Sequence, residues 1–267
     1  MQADIARRDN ALSLPGFDVL LGKELDEASR SRRLIAFLGI MSLLVALFPL
    51  IGYARIDDFG DGFRSRISDD DMNGMVMGWV GMVGYLGSLM VIASTVDAVT
   101  RERALGITAW IITKPVSRLS YLLAIAVGHT IASVLTVILV PAAVWTVLTV
   151  ALFEDVPLGR VLGSVGILCI EVAFLCFLNV ALGVLFRSVT WVAIFSLAIW
   201  FAPTIVPAIA TLEWMVYVLP SYLPIMAIAL IDVGYSERAF ATVPLSATII
   251  GAAVFAAGVW LFEQQEL

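Results

Sequence analysis

Six stretches of this chain stay apolar for about as long as a bilayer is thick. They run over 34–53, 74–96, 119–153, 161–186, 191–212 and 240–262. A helix needs roughly 20 consecutive apolar residues to cross the hydrocarbon layer. Inside it, every backbone N–H and C=O must be satisfied within the segment itself. Composition agrees: of 267 residues 61% are hydrophobic and 14% charged, against about 45–50% and about 25% in soluble domains. The fold class expected is therefore an all-α integral membrane protein. Six transmembrane helices form one domain over 34–263, after an N-terminal segment 1–33 and before a short tail 264–267. The third run is too long for a perpendicular crossing, so it tilts or projects beyond the membrane, and Pro141 predicts a kink in it.

Two connections are distinctive. Residues 213–238 are apolar but broken by Pro220 and Pro224. They read as short re-entrant helices at the outer face, since irregular backbone at depth needs protein or water around it. A seventh full span is the alternative. The loop 54–73 holds Asp57, Asp58, Asp61, Asp69, Asp70 and Asp71. An EF-hand begun at Asp57 places Asp61 and Gly62 correctly but Phe59 and Ser68 wrongly, which leaves a solvated outer loop.

Orientation follows from Lys and Arg in the connections. With the N-terminus inside, the inner segments hold Arg7, Arg8, Lys23, Arg30, Arg32, Arg33, Arg101, Arg103, Lys114, Arg118 and Arg187. The outer ones hold Arg55, Arg64, Arg66, Arg160 and Arg238. Both termini are then cytoplasmic, in a multi-pass protein of the cell membrane. The first 33 residues are polar or amphipathic, so no cleavable signal is expected. Cys169 and Cys176 share one run, about 10 Å apart along a helix, too far for a disulfide.

Candidate chemistry is sparse. His129 is the only histidine, with no cluster for a metal and no nucleophile beside it. "GFDVLLGKE", from Gly16 to Glu24, has five residues between its glycines and Glu after the Lys, so it fails the phosphate-loop pattern. No catalytic residue, metal ligand or ATP-binding motif is therefore assigned to this chain. The acidic balance, 16 Lys+Arg against 22 Asp+Glu, argues against a nucleic-acid partner. Glu171 and Asn179 stand out because they lie within the fourth apolar run, on about the same helical face. An intramembrane carboxyl faces a pathway, a partner or a subunit contact, or is a protonated packing residue.

The stretch "FDVLLGKELDEASRSRRL" reads as an amphipathic helix. Phe17, Leu20, Leu21, Leu25 and Ala28 fall on one face, with Lys23, Glu24, Asp26 and Glu27 elsewhere. Such a helix lies in the membrane interface, and Arg30, Arg32 and Arg33 meet the anionic inner leaflet. It is either a simple anchor or an elbow that also touches a cytoplasmic partner, through Lys23, Glu24, Arg30 and Arg33.

The inner loop 97–118 contains "TRERALGITAWIITKPVSR". Pro115 disfavours helix at Lys114, and Gly106 weakens a helix in the middle. A short lateral helix would then follow the second span, with Ile107, Trp110 and Ile111 sharing a face. Glu102-Arg103 with Gly106, and Lys114-Pro115-Val116-Ser117-Arg118, resemble the segment after the second span of ABC-2 type permeases, the membrane subunits of a class of ATP-binding cassette exporters. Lys23–Arg33, the six-span layout and the terminal "FEQQEL" are similar to the same family, in particular to permeases associated with copper-enzyme maturation and drug or peptide export. Ala104, Ile107 and Ala124-Ile125 depart from its usual pattern.

The resemblance implies a permease subunit whose 97–118 loop carries a coupling helix. That helix would dock on a separate ATPase, present in two copies, which binds the ATP and Mg. Glu102 and Arg103 would make the polar contacts. A second permease copy or a close paralogue would complete the pathway in the lipid bilayer. A non-transporting membrane anchor or assembly factor is the alternative, followed by a secondary transporter.

Overall fold

The computed structural model describes residues 14–54, 68–106, 116–209, 218–231 and 237–264, with backbone alone for 202–209 and 237–240. The described residues are 88% helical, with no β-strand among them. In chain order the helices are α1 (Phe17–Ser29), α2 (Arg32–Ala54), α3 (Asp69–Ala104), α4 (Arg118–Leu152), α5 (Leu158–Leu185), α6 (Val189–Ile209), α7 (Leu223–Ala229) and α8 (Glu237–Gln264). Five of the described helices, α2, α3, α4, α5 and α8, are long and apolar enough to cross a membrane. α6 has 21 helical residues, with side chains described as far as Phe201.

α5 is the hub. It packs against α3, α4, α6, α7 and α8. In its most apolar stretch 61% of residues are buried, against 22% in α2, which covers α4 from outside. Small residues set the closest approach: a Cβ on Gly258 of α8 would lie 3.0 Å from the Cβ of Ala181 in α5. Backbones that come this near gain dispersion contacts along their length, the main attraction available between helices in lipid.

α3 and α4 have 36 and 35 residues, about 54 and 52 Å at 1.5 Å per residue. Both exceed the roughly 30 Å hydrocarbon layer. Each is interrupted once by a widened turn, Val83–Gly87 in α3 and Val134–Leu139 in α4. The one in α4 ends just before Pro141, which has no N–H to give the preceding turn. The kink expected at Pro141 is thus a local widening, and the helix continues beyond it. α3 also bends at Val96 and Asp97, and it stops at Ala104 because Gly106 takes a left-handed φ of 70°. The Gly106 N–H closes on the Arg103 carbonyl at 3.0 Å, a glycine C-cap. Side chains cap two helix starts: Ser68 accepts from the Asp71 N–H at 3.1 Å and Ser117 from the Ser120 N–H at 2.9 Å, each worth about 1 kcal/mol.

The proline-broken segment re-enters the bundle. A short turn at Pro220–Tyr222 leads into α7, and Pro220 to Leu223 are buried. α7 lies between α3 and α5: a Cβ on Gly84 would meet Pro224 at 2.8 Å, and one on Gly163 would run into Leu230, just past the end of α7. Ser164 donates to the Ala227 carbonyl at 2.7 Å, and Arg160 donates to that of Ile231 at 3.2 Å. Side chains of α5 thus satisfy carbonyls in and just after α7.

Candidate functional site

Two polar sites matter, one at the end of the bundle that carries α1 and residues 98–106 and 116–118, the other within it. The first is built around Glu102, near the end of α3. Its carboxylate accepts from the Lys23 ammonium of α1 and, at 2.6 Å, from the Tyr121 hydroxyl of α4. Lys23 also reaches Glu24 at 3.1 Å. Arg33, at the start of α2, pairs with Asp97 of α3 at 3.1 Å. One ammonium thus serves two carboxylates. Burial alone would push Lys23 down, but the hydrogen bond to Glu102 and the charges of Glu24 and Glu102 outweigh it and hold it above its ordinary value. Glu24 is pushed up, first by burial and also by the charge of Glu102, against the pull of Lys23.

α1 is held here by shape as well as charge. Phe17, Leu20, Leu21, Glu24, Leu25 and Ala28 form its half-buried face. A Cβ on Gly128 of α4 would lie 2.7 Å from the Cβ of Glu24, so only hydrogen fits at the crossing. Glu24, expected on the polar side, instead lies on the packed face, 3.9 Å from His129 Nε2. The missing side chain at Gly128 makes room for it. Arg30 stays at the surface, paired with Asp26 at 2.9 Å.

Two arginines fasten the same end of the bundle. Arg103 donates to the carbonyls of Gly183 and Val184, at 3.4 and 3.0 Å, where α5 ends. Arg118 donates to those of Phe262 and Glu263, at 2.7 and 2.8 Å, where α8 ends. A guanidinium over terminal carbonyls satisfies acceptors that the helix leaves open and complements the negative end of its dipole. Both also lie over the Phe262 ring, at 5.4 and 5.8 Å from its centroid. Glu102 and Arg103, which the resemblance would place in polar contacts with an ATPase, have partners within the chain, because neighbouring helix ends and Lys23 lie beside them. Ile107, Trp110, Ile111, Lys114 and Pro115 lie outside the described residues.

The second site is internal. Glu171 of α5 is 1% exposed and accepts from Ser88 of α3 and from Trp200 Nε1 of α6, the latter at 3.3 Å. Asn179, two turns on, donates to Thr95 of α3 and accepts from Ser196 of α6. These are two rungs linking α3, α5 and α6. Glu171 was expected at a pathway, a partner or a subunit contact, or as a packing residue. The structure closes it inside its own bundle, where Ser88 and Trp200 meet its polar needs. Ser88, Thr95, Ser196 and Trp200 were not singled out from sequence. A signal exists for two of them: Ser88 and Thr95 are seven residues apart and Glu171 and Asn179 eight, each about two helical turns, whereas Ser196 and Trp200 are only four apart.

At the opposite end, a cavity of about 580 Å³ opens between the starts of α3 and α5, lined by Asp69, Asn73, Asp155 and Arg160 among others. Among the described residues no group of three or more His, Cys, Asp or Glu side chains is placed to hold a metal ion.

Together these features define a class: an all-helical, multi-pass membrane protein, by the length and composition of its helices. No family model matches the sequence, and no curated protein matches it either.

Proposed function

We infer that the chain is the permease subunit of an ATP-binding cassette exporter and couples to a separate ATPase through the 97–118 loop. The observation that carries this reading is the way both ends of that loop are anchored. Glu102 and Arg103 on one side, and Arg118 and Tyr121 on the other, join the loop to α1, α5 and α8. A segment whose flanks are joined to each other and to three further helices can pass a displacement into the bundle, whereas a slack connection cannot. The motif resemblance of 100–118 supplies the nature of the partner. In this reading α1 is an interfacial elbow, both termini are cytoplasmic and α7 closes the outer side of the pathway. ATP and Mg bind on two ATPase copies, and a second permease copy completes the assembly.

The experiment is co-expression with the ATPase encoded by a neighbouring reading frame. Support is a complex whose ATPase activity exceeds that of the ATPase alone and falls with Trp110→Ala or Ile107→Asp. Trp110 suits an aromatic anchor, whose truncation costs about 2 kcal/mol or more. Glu102→Arg is a poor probe, because it also breaks the Lys23 and Tyr121 contacts. No complex, and no loss with Trp110→Ala, would refute the coupling role.

A further inference from the structure

α3 and α4 are the helices joined by residues 105–117, and both are interrupted at mid-length. In the widened turns Val83–Gly87 and Val134–Leu139 the hydrogen bonding reaches one residue further than in an α-helix. Such turns are common places for helices to bend. The two abut each other. A Cβ on Gly87 would lie 2.8 Å from Val137 Cγ1, so the contact exists only because residue 87 has no side chain. The turn in α4 follows from Pro141, which removes a donor. The turn in α3 lies among Gly81, Gly84 and Gly87, where helix propensity is weakest. α5, against which both pack, runs 28 residues without such a break.

Beyond these turns the two half-helices are tied to each other, although α3 bends again at Val96 and Asp97. Glu102 is bonded to Tyr121, Lys23 joins Glu102, and α1 lies along the first turns of α4 over Gly128. Together they rest on α5 and α8 through a buried apolar layer, with Val99, Leu122 and Ile125 against Val180, Val184 and Phe255, and through Ser88, which donates to Glu171. Arg103 and Arg118 hold the last carbonyls of α5 and α8. Val99 packs on Gly183, Thr95 accepts from Asn179, and Tyr121 stacks on Phe262 at 5.9 Å.

We propose that the halves of α3 and α4 next to the 105–117 loop form, with α1, a lever hinged where Gly87 meets Val137 and latched to the ends of α5 and α8 by Arg103 and Arg118. When the latch opens, the lever swings on the paired wide turns while α5 and α8 stay in place. The hinge and latch are properties of this chain; their use in driving transport rests on the permease reading.

The test uses the full chain in nanodiscs, with Cys169 and Cys176 replaced by Ala and one thiol introduced by Val99→Cys. Val99 is 1% exposed beneath the latch, so a membrane-impermeant maleimide reaches it only when the lever lifts. Leu105→Cys, at a site 64% exposed, is the control that reacts at once. Arg103→Gln or Arg118→Gln is expected to raise the Val99→Cys labelling rate about tenfold, the effect of losing a charged hydrogen bond. Stiffening the hinge, by Gly87→Ala with Val137→Ala or independently by Pro141→Ala, is expected to bring the rate back near its starting value. Unchanged labelling in both arginine variants would overturn the latch. A raised rate that neither stiffened background reduces would show local fraying and overturn the hinge. Adding the ATPase with ATP is a separate arm. Faster labelling there supports coupling through the lever, and no change overturns that coupling while the chain-alone result stands.

Discussion

Replacing Glu171 by Ala should destabilise the bundle by about 3 kcal/mol, and the structure shows where that energy resides. Two hydrogen bonds disappear, from Ser88 and from Trp200, each worth about 0.6–1 kcal/mol between transmembrane helices. Ser88 retains a partner, since its hydroxyl also lies 2.6 Å from the Gly84 carbonyl. Trp200 is 1% exposed, and its indole N–H would be stranded at a cost of about 1–3 kcal/mol. Lost side-chain packing adds about 1 kcal/mol. Glu171→Gln keeps an acceptor oxygen in place, so its loss should stay near 1 kcal/mol. The assay is reversible unfolding in mixed dodecylmaltoside–SDS micelles, followed by near-UV tryptophan signals. The reasoning fails if Glu171→Ala costs less than about 1 kcal/mol, or if Glu171→Gln is as damaging as Ala. The second result would mean that the negative charge, and not the acceptor, is what the site needs.

Gly128→Leu should detach α1, because a side chain there collides with Glu24 at its own Cβ; amide exchange over Phe17–Ser29 should rise strongly while that of α5 stays unchanged. Gly106→Ala should cost about 1 kcal/mol, because among the described residues nothing lies within 4 Å of the added Cβ and the left-handed φ of 70° supplies the penalty; Gly106→Asn should cost less, as thermal unfolding will show. Glu24 is held above its ordinary 4.5, so folding takes up protons between that value and its folded one. α1 attachment therefore weakens as pH rises through this window, and amide protection of α1, corrected for intrinsic exchange, should lose that trend in Glu24→Gln. Lys23 has the opposite limb. Its raised value makes its contribution complete below pH 10.5 and lost on further alkalisation, and Lys23→Met should remove that alkaline loss of α1 protection.

Much of the architecture was legible in the chain. Apolar length alone required membrane-length helices, because hydrocarbon leaves no other way to satisfy a backbone. Pro220 and Pro224 required broken helices within 213–238, and α7 is one. The period of Phe17, Leu20, Leu21, Leu25 and Ala28 gave α1 and its packed face, and Gly106 gave the end of α3. These are local consequences of donor loss, periodicity and allowed φ. What only the tertiary structure decided is who meets whom. Glu24 reads as polar surface, yet it turns inward because Gly128, more than a hundred positions away, leaves space for it. Arg103 and Arg118 read as loop charges, yet they close the ends of α5 and α8 because those carbonyls end beside them. Glu171 reads as an intramembrane carboxyl that needs a pathway, a partner or a packing role, and Ser88 and Trp200 supply its partners from two other helices. Hydrogen-bond capacity is written in each residue, but the partner that meets it is fixed by how helices distant in sequence come into register.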